Sequence, residues 1–128
     1  MTTKQLQYEI DAWMSMLSFI KEENICFKNR LSDVIPLINE KSVLEIAETF
    51  QNRFINNDTI IVLLKKDISA HAQLLTKEVN SDHMLTKNIM KKQKTLRDDM
   101  EKFENECDML RSSLNIFTDE IITTSLQA

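Results

Sequence analysis

The sequence predicts an all-α fold, an antiparallel three-helix bundle whose long helices pack in the manner of a coiled coil. The 128 residues include no glycine and a single proline, so the chain lacks the residues on which tight turns depend. Aromatic residues make up only 6% of the chain, which disfavours a β-sheet. Apolar residues recur at alternating spacings of three and four, which is the pattern of helices that bury one face.

The first predicted helix spans residues 3–35 and follows a seven-residue repeat of buried positions. Asn24 is the only polar member of this repeat. Pro36 ends the helix, because proline lacks a backbone N–H and its ring clashes with the preceding turn. The positions of the repeat are Leu6, Ile10, Trp13, Leu17, Ile20, Asn24, Phe27, Leu31 and Val34.

The second predicted helix spans residues 43–79. Ser42 and Glu45 have the spacing of a capping box, in which the serine side chain accepts from a backbone N–H and the glutamate reaches back to the cap residue. The polar segment 56–59 does not change the phase of the repeat, which predicts one continuous helix. The repeat consists of Val43, Ala47, Phe50, Phe54, Asn57, Ile61, Leu64, Ile68, His71 and Leu75.

The third predicted helix spans residues 82–123, after a connector at residues 80–82 whose Asn, Ser and Asp suit a helix end and the next cap. The last few residues are expected to fray. Short connectors require each helix to double back on its predecessor, so residues 1–128 are expected to form a single domain. The repeat consists of Ile89, Gln93, Leu96, Met100, Phe103, Cys107, Leu110, Leu114, Phe117 and Ile121.

The composition argues against several partners and compartments. A net charge of −4 disfavours nucleic acid, which proteins bind by displacing counterions with clustered lysine and arginine. The longest apolar run, residues 60–64, is too short to cross a bilayer, and the polar start of the chain does not resemble a secretory signal. Cys26 and Cys107 are isolated in sequence, so we expect free thiols in a cytoplasmic protein without a membrane span.

The sequence predicts no catalytic, cofactor-binding or metal site, no cofactor and no enzymatic activity. It has no glycine-rich phosphate loop and no nucleophile beside a recognisable base. Asp67 and His71 are one helical turn apart, but a metal ion would need further ligands from His83 or Cys107, which the repeat does not place there. We expect His71 to lie at the core, bonded to a neighbouring helix, while the role of His83 stays open.

Asn24 and Asn57 interrupt the apolar repeats of the first two helices. A buried amide destabilises a helical seam unless it finds a partner, and it thereby penalises wrong registers. The two residues lie at similar heights in a hairpin, so they are predicted to fix its register, and a bond between the two amides is one way to do so. The alternative is that each simply points its amide to solvent at the edge of the bundle.

Basic and acidic groups follow one another in the third helix. They are predicted to form a solvated face with charge pairs one turn apart, and the alternative is a dipolar patch that orients a partner or a second copy. The basic group is Lys87, Lys91, Lys92, Lys94 and Arg97, and the acidic group is Asp98, Asp99, Glu101, Glu104, Glu106 and Asp108.

Several apolar residues occupy positions outside the repeats, where a single bundle leaves them facing water. Their seven-residue spacings suggest a second contact surface for self-association or for a partner helix. Flexible methionines suit such a surface, although they also fill gaps in cores. The apolar residues at these outer positions are Phe19, Cys26, Ile55, Val62, Leu63, Met109 and Ile116.

The segment LQYEIDAWMSMLSFIKEENICFKNRLSDVI, together with FQNRFI in the second helix, resembles a group of short, uncharacterised all-helical proteins of similar length. The resemblance covers nearly the whole chain and implies a helical-hairpin type of fold. It implies no activity and transfers no site residues. In outline the bundle is also similar to a spectrin-type repeat, and such a likeness of topology does not carry function.

The expected function is that of a non-enzymatic structural or protein-interaction module, which presents helical surfaces to a second copy or to a coiled-coil partner. The alternative is a signalling or regulatory module such as a phosphotransfer-like carrier, in which an exposed histidine accepts a phosphoryl group. In such carriers a lysine and a glycine follow the histidine, whereas Ala72, Gln73 and Leu74 follow His71.

Overall fold

The structure, a computed structural model, describes residues 2–78 and 83–127, with side chains at 2–77 and 87–127. Within these ranges the chain forms three long helices, which are α1 (Thr3–Val34), α2 (Lys41–Glu78) and α3 (His83–Gln127). A single 3₁₀ turn, Ile35–Leu37, links α1 to α2. The described residues contain no strand, so the predicted all-α fold is confirmed.

Cross-helix bonds between α1 and α2 show that these helices run in opposite directions. The Lys28 ammonium donates to the carboxylate of Asp58. Ser18 lies earlier in α1 and accepts from Lys65, which lies later in α2. The two helices therefore form the predicted antiparallel hairpin.

The third helix returns in the direction of the first. Glu9 accepts from Arg97, and Glu23, later in α1, accepts from Arg111, later in α3. Sequence numbers thus rise together along α1 and α3. All three helices contact one another, so the fold is the predicted up-down-up three-helix bundle.

Both ends of α1 are set by local sequence. A capping box begins the helix: the Thr2 hydroxyl accepts from the Gln5 N–H at 3.1 Å, and the Gln5 side chain accepts from the Thr2 N–H at 2.8 Å. The helix ends at Val34, one residue before the predicted end, and Pro36 lies in the 3₁₀ turn that follows.

The ends of α2 and α3 differ from the prediction. The α2 helix begins at Lys41, so Ser42 lies inside its first turn, and the capping box predicted at Ser42 is wrong. The Leu44 N–H already donates to the Glu40 carbonyl at 3.0 Å, because no glycine or proline stops the helix from starting early. The α3 helix continues to Gln127 for the same reason, whereas the prediction ended it at residue 123.

The polar segment 56–59 lies inside the continuous helix α2, as predicted. The predicted connector at residues 80–82 lies outside the described residues. None of the described helices has a stretch long and apolar enough to cross a membrane.

The buried apolar side chains form two clusters along the bundle, which we name the long core and the short core. The long core consists of Leu6, Ile10, Trp13, Leu17, Ile20, Ile61, Ile68, Leu75, Ile89, Leu96, Met100, Phe103 and Cys107. The short core consists of Phe27, Leu31, Val34, Ala47, Phe50, Phe54, Leu110 and Leu114. All of these residues belong to the predicted seven-residue repeats, so burial of the repeats holds the helices together.

Candidate functional site

A layer of polar side chains lies at the level where the long core meets the short core. Asn24 is buried there, and its amide nitrogen donates to Asp58 at 3.1 Å. The other carboxylate oxygen of Asp58 accepts from Lys28 at 2.5 Å. Because Asp58 receives a neutral and a charged donor from α1, this part of the layer ties α1 to α2 at one height.

The second asparagine of this layer faces α3. The amide nitrogen of the half-buried Asn57 lies 3.8 Å from the Cys107 sulfur. The proposed bond between Asn24 and Asn57 is therefore wrong, because Asp58 offers Asn24 a charged acceptor on the side of α2 that faces α1. That the two amides fix the hairpin register stays a prediction.

The two cysteines differ sharply in environment. Cys107 is buried, and burial raises the pKa of its thiol to about 11. Cys26 is exposed on α1. With this raised pKa the Cys107 thiol is protonated near neutral pH. Because the thiolate is the reactive form, Cys107 is therefore unreactive there.

We expect a thiol-reactive reagent to label one cysteine in the native protein and both cysteines in urea. Mass spectrometry of the labelled protein at neutral pH measures this directly, with Cys26→Ser as the control that abolishes the native label. Rapid native labelling of the Cys26→Ser variant at Cys107 would contradict the buried position of that thiol.

A second polar cluster, which we name the histidine hub, joins all three helices inside the long core. The Nε2 atom of His71 lies 2.5 Å from the Oε1 atom of Gln93. The Gln93 amide nitrogen donates to the Leu6 carbonyl at 3.2 Å and to the Glu9 carboxylate at 2.9 Å. The guanidinium of Arg97 donates two bonds of 2.7 Å to the same carboxylate. One chain of hydrogen bonds thus runs from α2 through α3 to α1.

The hub fixes one ring nitrogen of His71 as a donor. Both acceptors of the Gln93 amide nitrogen are oxygens, so its amide oxygen faces His71 and must accept a bond from Nε2–H. The other ring nitrogen, Nδ1, is buried without a hydrogen-bond partner among the described residues. His71 is 1% exposed, so its predicted place in the core, bonded to a neighbouring helix, is confirmed.

Arg97 also shifts the titration of Glu9. The hydrogen bonds from Arg97, reinforced by one from Gln93, hold the pKa of the Glu9 carboxyl below its ordinary value of 4.5, although burial opposes the shift. A lowered folded-state pKa means that ionised Glu9 stabilises the fold above about pH 4.5. This contribution is lost as the pH falls through the folded-state pKa.

We therefore expect the difference in unfolding free energy between wild type and Glu9→Gln to be about 1 kcal/mol at pH 7 and to shrink below pH 4.5. Urea denaturation at a series of pH values measures it. Asp11→Asn, an exposed carboxylate two residues away, is the matched control. A difference that stays constant down to pH 3 would contradict the role of the Arg97 bonds.

Three of the four residues named above for a metal site have other partners. Asp67 forms an ion pair with Lys92 at 3.1 Å, and the Nε2 atom of His71 is used by Gln93. Cys107 lies in the central polar layer, and His83 begins α3 with a side chain outside the described set. Among the side chains that the structure describes, no group of three or more His, Cys, Asp and Glu could hold a metal ion.

The basic group of α3 contributes to bonds between helices. Lys92 pairs with α2 and Arg97 with α1, whereas pairs one turn apart were predicted within α3. The pair of Arg111 with Asp108 does have the predicted spacing of one turn. The difference arises because Lys92 and Arg97 flank the buried repeat, where a long side chain reaches the neighbouring helix.

No family model, no curated protein and no solved structure matches this chain.

The predicted outer apolar residues are exposed in the bundle. On α2, Ile55, Val62 and Leu63 are 57%, 60% and 59% exposed, and we name these three residues the α2 stripe. On α3, Met109 and Ile116 are 70% and 61% exposed. Phe19 and Cys26 on α1 are exposed as well. None of the seven belongs to either core, so the bundle does not use them for its own packing.

Two concave surfaces lie where elements of the bundle meet. The first is a groove of about 190 Å³ between α1 and α2, which includes Ile25 and Val62 and which we name the α1–α2 groove. The second is a cavity of about 400 Å³ at the end of the bundle, between the 3₁₀ turn and the last turns of α3, where Leu37, Ile46 and Phe117 meet. Sequence reasoning missed both surfaces, because a groove depends on how two helices are offset and not on the pattern of either one.

Proposed function

We propose that the chain is a non-enzymatic protein-interaction module, which binds a second copy of itself or a coiled-coil partner through helical faces outside its core. The observation that carries this proposal is the α2 stripe, whose three large apolar side chains are more than half exposed. Ile55 and Val62 lie about two turns apart, and Leu63 adjoins Val62. Adjacent exposed apolar residues on one helix face are typical of a surface that another helix covers.

The use of polar residues inside the bundle supports a non-enzymatic role. His71, Gln93 and Asn24 are each buried and each bonded to a neighbouring helix, so they serve the packing of the bundle. The phosphotransfer alternative requires a histidine that a partner kinase can reach. His71 is 1% exposed, so this alternative gains no support from it.

We place the protein in the cytoplasm as part of the same proposal. Cys26 and Cys107 are free thiols, and Cys26 is exposed. Free thiols persist in reducing compartments and are oxidised or paired in secretory ones.

The test compares wild type with a variant in which Ile55, Val62 and Leu63 are all serine. The matched control replaces three exposed polar residues nearby on α2, Asn52, Asn56 and Thr59, with serine. Light scattering across a concentration series detects self-association, and affinity capture followed by mass spectrometry detects a partner.

We expect wild type and the polar control to associate with a second copy or to capture the same partner, and the α2-stripe variant to lose that association. The reason is that removing three exposed apolar side chains removes the buried area that a helix–helix contact needs. The proposal is contradicted if the α2-stripe variant behaves like wild type in both measurements.

A further inference from the structure

The α1–α2 groove has an apolar floor and a basic rim. Ile25 and Val62 are exposed along it, and Lys21, Lys28 and Lys65 line it. A cavity of ~150 Å³ accommodates a benzene molecule, so a groove of about 190 Å³ has room for a large apolar side chain.

The charge of this groove is positive. Its acidic residue, Asp58, is already bonded to Lys28 and Asn24, so it offsets the charge of one lysine. Lys21 on α1 and Lys65 on α2 remain as cations that line the groove with Val62, and Lys65 bonds to the neutral Ser18 hydroxyl. The groove therefore suits an apolar side chain that projects from an acidic helix.

The outer surface of α3 has the inverse chemistry. Asp98, Glu101 and Glu106 surround a shallow depression with one basic residue, Lys102. Met109 borders the same depression and is 70% exposed. Methionine is unbranched and flexible, so it adapts to an irregular groove. We give the name α3 ridge to the outer face of α3 that carries the projecting Met109 together with the charged residues at 98, 101, 102 and 106.

We infer that the α3 ridge of one copy docks into the α1–α2 groove of a second copy, with Met109 on the apolar floor and the carboxylates beside the lysines. The charge pattern supports this occupant: three lysines and one carboxylate line the groove, whereas three carboxylates and one lysine line the ridge. This inference rests on the proposed function and names a second copy as the partner.

The two surfaces lie on opposite sides of the molecule. Each helix packs against the other two, so the outer surface of α3 faces away from the groove between α1 and α2. A contact between two different surfaces is heterologous, and each added copy leaves one groove and one ridge free. Association therefore continues into a chain or closes into a ring. Because the complementary charges are exposed, higher salt should weaken it.

The test uses two variants that each block one surface. Val62→Glu places a carboxylate in the groove, where it repels the carboxylates of the ridge. Met109→Glu replaces the apolar side chain of the ridge with a carboxylate, which the apolar floor of the groove does not accommodate. Both positions are well exposed, so each variant is expected to keep the helical content and urea midpoint of wild type. Leu126→Glu, at an exposed apolar residue away from both surfaces, is the matched control. Analytical ultracentrifugation measures the mass of each protein and of mixtures.

We expect wild type and Leu126→Glu to form species larger than a dimer as concentration rises, and each blocked variant alone to remain a monomer. An equimolar mixture of the two variants should form a dimer and nothing larger. The intact ridge of the Val62→Glu copy meets the intact groove of the Met109→Glu copy, and both remaining surfaces are blocked.

The outcomes separate this inference from the proposed function. If Met109→Glu or Val62→Glu alone still associates like wild type, the ridge-to-groove contact is overturned while self-association stands. If wild type is a monomer at every concentration, the inference is overturned and affinity capture alone decides the proposed function. Should either variant unfold, Lys65→Glu replaces it, because this variant keeps every apolar residue in place. Lys65→Glu is expected to weaken association about tenfold, and unchanged association of this variant overturns the inference.

Discussion

Phe54→Ala is expected to lower the free energy of unfolding by about 4 kcal/mol, which is the usual loss for a large aromatic side chain removed from a core. Phe54 is 1% exposed in the short core, and its ring centroid lies 5.7 Å from that of Phe27. Alanine removes the apolar area and leaves a cavity that the neighbouring helices fill only in part. Urea denaturation followed by circular dichroism measures the loss.

The adjacent residue provides the control. Ile55→Ala removes an exposed side chain from the same helix, so it should change the free energy of unfolding by less than about 0.5 kcal/mol. Equal losses at the two positions would contradict the assignment of Phe54 to the core and Ile55 to the surface.

Gln93→Leu is expected to lower the free energy of unfolding by about 3 kcal/mol, because it leaves the His71 Nε2–H buried without an acceptor and removes a donor to Glu9. Replacing both residues of the pair is less harmful. In His71→Leu/Gln93→Leu the polar groups disappear together, so most of the lost stability should return.

A double-mutant cycle in urea measures this coupling between His71 and Gln93. Gln73→Leu, at an exposed position of α2, controls for the added leucine and should leave the free energy of unfolding nearly unchanged. If the double variant is as unstable as the sum of the two single variants, His71 and Gln93 act independently and the histidine hub does not behave as a unit.

The helices and the core follow directly from the sequence, because burial of a helix face depends on the short-range spacing of apolar residues. The three repeats, one for each helix, assign Trp13, Phe54 and Phe103 to the core, and each of these residues is buried. The same repeats predicted that Ile55 and Met109, which lie outside them, are exposed. The buried face of each helix can therefore be predicted from the sequence of that helix alone.

The helix ends were predicted less well. The threonine at position 2 and the glutamine at position 5 have the spacing of a capping box and form one, whereas Ser42 and Glu45 have a similar spacing and Ser42 lies inside the first turn of α2. Two matching cap patterns do not show which of them begins a helix. In a chain without glycine, backbone hydrogen bonds extend a helix past a weak signal, as they do at Lys41 and Gln127.

The partners of the polar residues could not be predicted from the sequence. The repeat placed Gln93 and His71 in the core, but their bond depends on the relative height of α2 and α3. Asn24 likewise bonds Asp58 and not Asn57, because one residue along a helix rotates the side chain by about 100° and changes the helix that it faces. Axial offset and rotation arise from packing of the whole bundle, which no single helix encodes.

The bundle thus uses two sets of apolar residues in different ways. The buried repeats stabilise the fold, and the central polar layer and the histidine hub connect the helices at defined heights. The α2 stripe and the α3 ridge contribute to neither core. We propose that these outer residues are available for association.

The most direct test of this division is the free energy of unfolding of the α2-stripe variant, which has serine at positions 55, 62 and 63. It is measured by urea denaturation at a low protein concentration. We predict a value within about 0.5 kcal/mol of wild type, since exposed side chains contribute little to folding. A loss as large as that of Phe54→Ala would show that the three residues belong to the core, and it would contradict the division between folding and association.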